Sequence, residues 1–150
     1  MKELSNKLSK LIKEDPSIIN WNELCKEYYV PRPIIIDNLS RISMRVLFTY
    51  QELPETFIEK YINRESLVSI ICENQKLSVR FMFKYKDILD WKTMSISQDI
   101  PEELIRKVID KVEIDDIIIR QNVSDKFIND YKDKIDWNYV NNLYCKTANF

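Results

Sequence analysis

The strongest constraint on what this chain can fold into is that it repeats itself. Aligned to its clearest copy, Val123–Cys145, the sequence falls into six segments starting near residues 7, 30, 53, 77, 100 and 123. Successive starts lie 23 residues apart, except for one 24-residue step in which Gln75 reads as the extra residue. A period of this length is one supersecondary unit that cannot bury its apolar face alone, so several must stack in a row. The repeat covers Lys7 to Cys145, which predicts one helical-repeat domain over residues 1–150.

The columns of the repeat specify helices. In the first half of each segment two adjacent positions are always apolar: Leu11, Ile34, Phe57, Phe81, Leu104, Phe127, followed by Ile12, Ile35, Ile58, Met82, Ile105, Ile128. Tyr61, Tyr85, Val108 and Tyr131 come three or four residues later, which completes one helix face. The second half repeats the pattern. Its columns read Trp21, Met44, Leu67, Trp91, Ile114, Trp137; then Leu24, Leu47, Ile70, Met94, Ile117, Val140; then Cys25, Phe48, Ile71, Ser95, Ile118, Asn141. This is i, i+3, i+4 spacing. The first helix begins near Pro31, Pro54, Ser78, Pro101 or Ser124, and the second is preceded by Asn20, Ser43, Ser66, Asp90, Glu113 or Asp136. Ser, Asn and Asp accept free backbone N–H groups at a helix start, and Pro leaves none unpaired there.

The predicted fold is therefore all-α: an α-solenoid of about six stacked two-helix hairpins, each helix roughly 8–10 residues and too short to stand alone in water. Ile35-Ile36 and Ile117-Ile118-Ile119 are locally strand-like, but the repeat places them in helices. Two departures stand out. Asp15-Pro16 should end the first helix early, so that helix is expected to start near residue 3. Glu65 falls at an otherwise apolar position, which with Gln75 marks the third segment for a local irregularity.

Composition narrows the function. The chain has no His and no Gly. Without His the commonest general base and metal ligand is missing; without Gly there is no P-loop, dinucleotide fingerprint or nucleophile elbow. Glu102-Glu103 and Asp115-Asp116 are the best carboxylate pairs, but the repeat puts most of them on a polar, solvated face. No enzyme activity, metal or cofactor is expected. The 23 Lys+Arg offset 24 Asp+Glu, 10 against 11 in residues 1–75 and 13 against 13 in 76–150. Lysines such as Lys107, Lys126 and Lys132 alternate with Asp110, Asp125 and Asp133, a mixture that releases few counterions, so nucleic acid is not an expected partner. The opening residues have no apolar signal core, and no apolar run approaches the ~20 residues of a membrane span. Cys25, Cys72 and Cys145 are an odd number without scaffold spacing and read as reduced thiols.

Asp90-Trp91, the run Gln98-Asp99-Ile100-Pro101-Glu102-Glu103-Leu104-Ile105, Val123-Ser124-Asp125-Lys126-Phe127-Ile128 and Asp136-Trp137 carry a resemblance. They resemble short helical repeats found in proteins of giant DNA viruses, which pair an acidic residue with Trp, then Gln, then a Leu-Ser-Glu-x-Phe-Ile stretch. The resemblance is good over residues 77–145 and weak over 7–52. It implies a viral helical-repeat protein working in the host cytoplasm, nucleus or virion, and it carries no defined activity.

Two polar or apolar patterns remain as candidate sites. Gln51, Asn74, Gln98 and Gln121 form an amide column at the end of the second helix, with Tyr28 and Tyr144 in the terminal segments. An amide offers donors and an acceptor, so the column either ties the connection between segments or binds an extended peptide. The structural role is the favoured one. Ile36 and Phe83 occupy a position that is Lys13, Glu59, Arg106 or Asn129 elsewhere. Tyr50 stands where Glu27, Glu73 and Arg120 do, and Tyr29 and Tyr139 are similar. Apolar side chains at such positions are interface candidates. The expected function is a protein–protein interaction scaffold for a host or virion protein, through Ile36, Tyr50, Phe83, Gln51, Gln98 and Gln121. The alternative is self-assembly into a homo-oligomer.

Overall fold

The computed structural model describes the backbone of residues 1–147 and the side chains of residues 1–142. The chain divides into two compact units, Met1–Gln75 and Lys76–Phe150. Each holds three helical hairpins.

In the first unit the hairpins are α1 (Asn6–Glu14) with α2 (Trp21–Glu27), α3 (Arg32–Asp37) with α4 (Met44–Tyr50), and α5 (Glu55–Ile58) with α6 (Glu65–Asn74). In the second they are α7 (Val79–Lys84) with α8 (Trp91–Ser97), α9 (Glu102–Lys107) with α10 (Ile114–Arg120), and α11 (Asp125–Tyr131) with α12 (Trp137–Thr147). The molecule is thus mostly helical. Second helices pack on second helices: α2 on α4 and α4 on α6, then α8 on α10 and α10 on α12. Most helices are shorter than the periodicity suggests, at six or seven residues. In several hairpins the residues between the two helices form a 3-10 turn instead, at Pro16–Ile18, Leu39–Arg41 and Lys132–Lys134.

Burial follows the columns. Ile12, Ile35, Ile58, Met82 and Ile105 are buried, as are Leu24, Leu47, Met94, Ile117 and Val140. Five of the six first-helix starts fall at the expected residue, with Ser78 and Ser124 accepting the N–H of Phe81 and Phe127 and Pro31, Pro54 and Pro101 at the cap position. Asn20, Asp90 and Asp136 cap second helices through side-chain oxygens. Tilted pairs of Phe and Tyr rings line the first helices, with centroids 5.1 Å apart at Phe57–Tyr61, 4.5 Å at Phe81–Tyr85 and 4.7 Å at Phe127–Tyr131.

Three expectations need correction. The first helix starts at Asn6 behind the Ser5 cap, not near residue 3. Lys2–Glu3 instead pairs in parallel with Tyr28–Tyr29, a two-residue ladder that the all-α reading lacks. Tyr28 stands at the amide-column position but has no amide, and a backbone pairing occurs there. In the third hairpin the irregularity lies upstream of Gln75. The helix α6 begins at Glu65, so Ser66 is inside it rather than capping it. The buried pair is Ile71 and Cys72, which matches Leu47-Phe48, Met94-Ser95 and Ile117-Ile118 one residue later than the repeat reading places it. The extra residue falls in the turn before α6, and Gln75 is in register.

Candidate functional site

A chain without Gly must end its helices without the left-handed residue that commonly closes them. No described residue has a positive φ. Each second helix from α2 to α10 passes directly into extended backbone at its C-cap, residues 28, 51, 75, 98 and 121. That leaves orphan carbonyls at the helix end and a free N–H in the connection that follows.

The amide column fills those vacancies from the next hairpin. The Gln51 Nε2 donates to the carbonyls of Cys25 (2.6 Å) and Tyr28 (2.8 Å), and its Oε1 accepts the N–H of Val30 (3.0 Å). Gln75 does the same one hairpin on: Nε2 to the carbonyls of Phe48 (2.6 Å) and Gln51 (2.8 Å), Oε1 from the N–H of Leu53 (3.0 Å). In the second unit Gln121 Nε2 donates to Ser95 (2.7 Å) and Gln98 (2.9 Å), and its Oε1 accepts from Ile100 (2.9 Å). The Gln98 Oε1 accepts from Leu77. Gln51, Gln75 and Gln121 therefore each close the preceding helix, bind the preceding column member and hold the connection. Gln51, Gln75 and Gln121 use both amide hydrogens and the oxygen within their own unit. Asn74 is not in the column. Its side chain is exposed and bonds the Ile70 carbonyl one turn back.

Further ties recur within and between hairpins. The Trp indoles of Trp21, Trp91 and Trp137 donate to the carbonyl five residues upstream, at Pro16 (3.0 Å), Lys86 (2.6 Å) and Lys132 (3.1 Å). The same carbonyls of Pro16 and Lys86 also accept from a cation of the next hairpin, Arg41 and Lys111. At the start of the second helix Asn22 accepts the N–H of Ser43, and Asp115 accepts that of Asp136, both at 2.9 Å. The ties made by Arg41, Lys111, Asn22 and Asp115 are not visible as a motif, because each is read only across two copies of the repeat.

The carboxylate pairs are divided among such ties. Glu102 accepts the Ser124 N–H at 2.8 Å and pairs with Arg106, while Glu103 pairs with Lys107. Asp115 holds Asp136, and Asp116 faces Arg120 at 3.9 Å. Among the described residues no cluster of three Cys, Asp or Glu could hold a metal ion. The Ser124 N–H, then Arg106, hold the Glu102 carboxyl below its usual range, and the ammonium groups of Lys86 and Lys111 do the same for Asp87. A carboxylate depressed in the folded state adds stability above its unfolded pKa and loses it as pH falls through the folded one. The second unit should therefore lose stability below about pH 4, and Glu102→Gln should shrink that acid-dependent loss in a pH series of melting curves. Burial pushes the Cys25 thiol up to about 11. Cys25 and Cys72, both buried, should resist a thiol reagent at pH 8 and react only after unfolding. The side chains of Tyr144 and Cys145 lie outside the described residues.

The apolar candidates separate. Ile36 on α3 is 62% exposed and Tyr50 at the end of α4 is 41% exposed, both in the first unit. Tyr29 and Tyr139 are also exposed. Phe83 is half-buried, and the Lys107 ammonium of the next hairpin sits 4.6 Å from its ring centre, so its ring packs between hairpins. No helix among the described residues is long and apolar enough to cross a membrane.

No family model, curated protein or solved structure matches this chain.

Proposed function

We propose that this chain is a non-enzymatic helical-repeat scaffold that binds another protein, the six hairpins continuing as one α-solenoid. The observation that carries this reading is the exposure of Ile36 and Tyr50 at helix positions where most other hairpins place charged or polar side chains. Polar groups at the hairpin junctions are spent on stacking, whereas these two apolar side chains keep a large part of their surface exposed. An exposed aliphatic and an aromatic on rigid short helices suit a protein partner better than a small ligand. The resemblance to repeats of giant DNA viruses makes a host or virion protein the expected partner. Affinity capture from infected-cell lysate tests this, with the doubly substituted Ile36→Lys, Tyr50→Lys chain as comparison. The expected result is a protein retained at physiological salt by the native chain and lost by the variant. Nothing retained, or equal retention by both, contradicts the reading.

Self-assembly is the second reading. It is favoured by Trp137, which is 44% exposed while its counterparts Trp21 and Trp91 are each 3% exposed.

A further inference from the structure

The hairpins have two different stacking faces, and the recurrent hydrogen bonds identify them. The forward face of a second helix carries the Trp column and the residue after it: Trp21 is covered, and Asn22 accepts the N–H of Ser43 from the hairpin that follows. The backward face carries the positions of Ser43, Leu47, Tyr50 and Gln51, since the Ser43 N–H and the Gln51 amide both reach the preceding hairpin. In α2 those backward positions are Asn20, Leu24, Glu27 and Tyr28.

They line a groove of about 290 Å³ on the first hairpin, together with Leu8, Ile18 and Ile19. Ile18 is 62% exposed, and Ile19 is half-buried like its counterpart Val112, whereas Ile42, Leu89 and Ile135 are buried. On α12 the forward positions are Trp137, Asn138 and Asn141, all exposed. Asn138 occupies the position from which Asn22 and Asp115 accept a cap N–H of the next hairpin.

We propose that copies of this chain associate head to tail, the forward face of α12 in one copy seated in the groove of the first hairpin of another. This rests on the self-assembly reading and names its surfaces. The contact repeats the one already made between consecutive second helices: an indole edge covers the Leu24 side of the groove, and Asn138 faces the Asn20 N–H. Asn141 stands where other hairpins bury Cys25, Phe48, Cys72, Ser95 or Ile118, so the contact is weaker than an internal one and association is reversible. Because the two surfaces differ, the contact is heterologous and does not saturate at a dimer unless a ring closes.

Complementation decides it. Sedimentation is measured over a concentration series for the native chain, for Ile18→Asp (groove blocked) and for Trp137→Ala (forward face blocked). The native chain should grow beyond a dimer or close a ring. Each variant should self-associate at least about tenfold more weakly, the loss typical of a central interface side chain. Mixed, the two variants should form a one-to-one dimer that grows no further, from the intact forward face of one and the intact groove of the other. Ile18 is exposed, so its variant keeps the test valid if Trp137→Ala weakens α12. A native chain that stays monomeric removes both the self-assembly reading and this contact. A native chain that associates while Ile18→Asp associates equally, or variants that fail to complement, overturns the contact and leaves self-assembly standing.

Discussion

Replacing Gln75 by Leu should destabilise the first unit by about 3 kcal/mol or more, while Asn74→Ala, one residue away, should change stability by less than about 0.5 kcal/mol. The substitution puts an apolar side chain of similar size in place of the amide and strands three backbone groups: the carbonyls of Phe48 and Gln51 and the N–H of Leu53. Gln75 is buried, so water cannot replace the lost bonds, and each orphan costs about 1–3 kcal/mol. At roughly 2–4 °C per kcal/mol the melting temperature should fall by at least about 6 °C. Asn74 is exposed and bonds only locally to Ile70 and its neighbour Glu73. Thermal denaturation of the two variants measures the contrast, and equal small shifts would return the column to Asn74.

Trp91→Ala should cost the second unit about 3–5 kcal/mol, the range for deleting a buried large aromatic. Trp91 is buried on both counts that matter: its ring fills the forward face of α8, and its indole N–H holds the Lys86 carbonyl at 2.6 Å. Trp91→Phe retains much of the ring and separates the two effects, because it loses the indole bond while Lys111 still reaches the same carbonyl. It should cost less than half as much as the alanine variant. Trp137→Ala, at the same repeat position but with its ring half in solvent, should also cost about half or less in a dilute solution of single chains. Denaturant titration of the three variants gives the order.

Much of the fold was legible because it is written in columns. Apolar spacing placed all six hairpins, and the repeat overruled the strand-like Ile35-Ile36 and Ile117–Ile119, which are helical. Where a single residue shifts the register, the columns misled. Counting Gln75 as the insertion placed Ile70 and Asn74 where Ile71 and Gln75 belong, although the match of Ile71-Cys72 to Leu47-Phe48 carried the correct register. Helix lengths were overestimated because residues of the 3-10 turns keep a helix-like pattern without extending the α-helix. The Lys2–Glu3 pairing with Tyr28–Tyr29 had no signal, since a two-residue backbone ladder needs no particular side chains.

The candidate site was legible in part. The amides were found by their recurrence, and the favoured structural role agrees with their three-way bonding. The partners of those bonds were not legible, because they are backbone groups 21 to 27 residues away. Exposure of Ile36 and Tyr50 followed from their polar counterparts. Phe83 had the same signal but packs beneath Lys107, a long side chain whose apolar stem and cationic head both suit an aromatic face.

The central claim is that, within each unit, a glutamine of one hairpin closes the hairpin before it, as Gln51, Gln75 and Gln121 do. Amide hydrogen exchange of the connecting residues tests it most directly. Val30, Leu53, Leu77 and Ile100 lie in extended connections outside any helix, yet each N–H donates to a glutamine Oε1. They should exchange far more slowly than Asp99 and Asn122 beside them, and Gln75→Leu should remove the protection of Leu53 while leaving that of Ile100 intact. Exchange at these four amides as fast as at Asp99 and Asn122 would contradict the account.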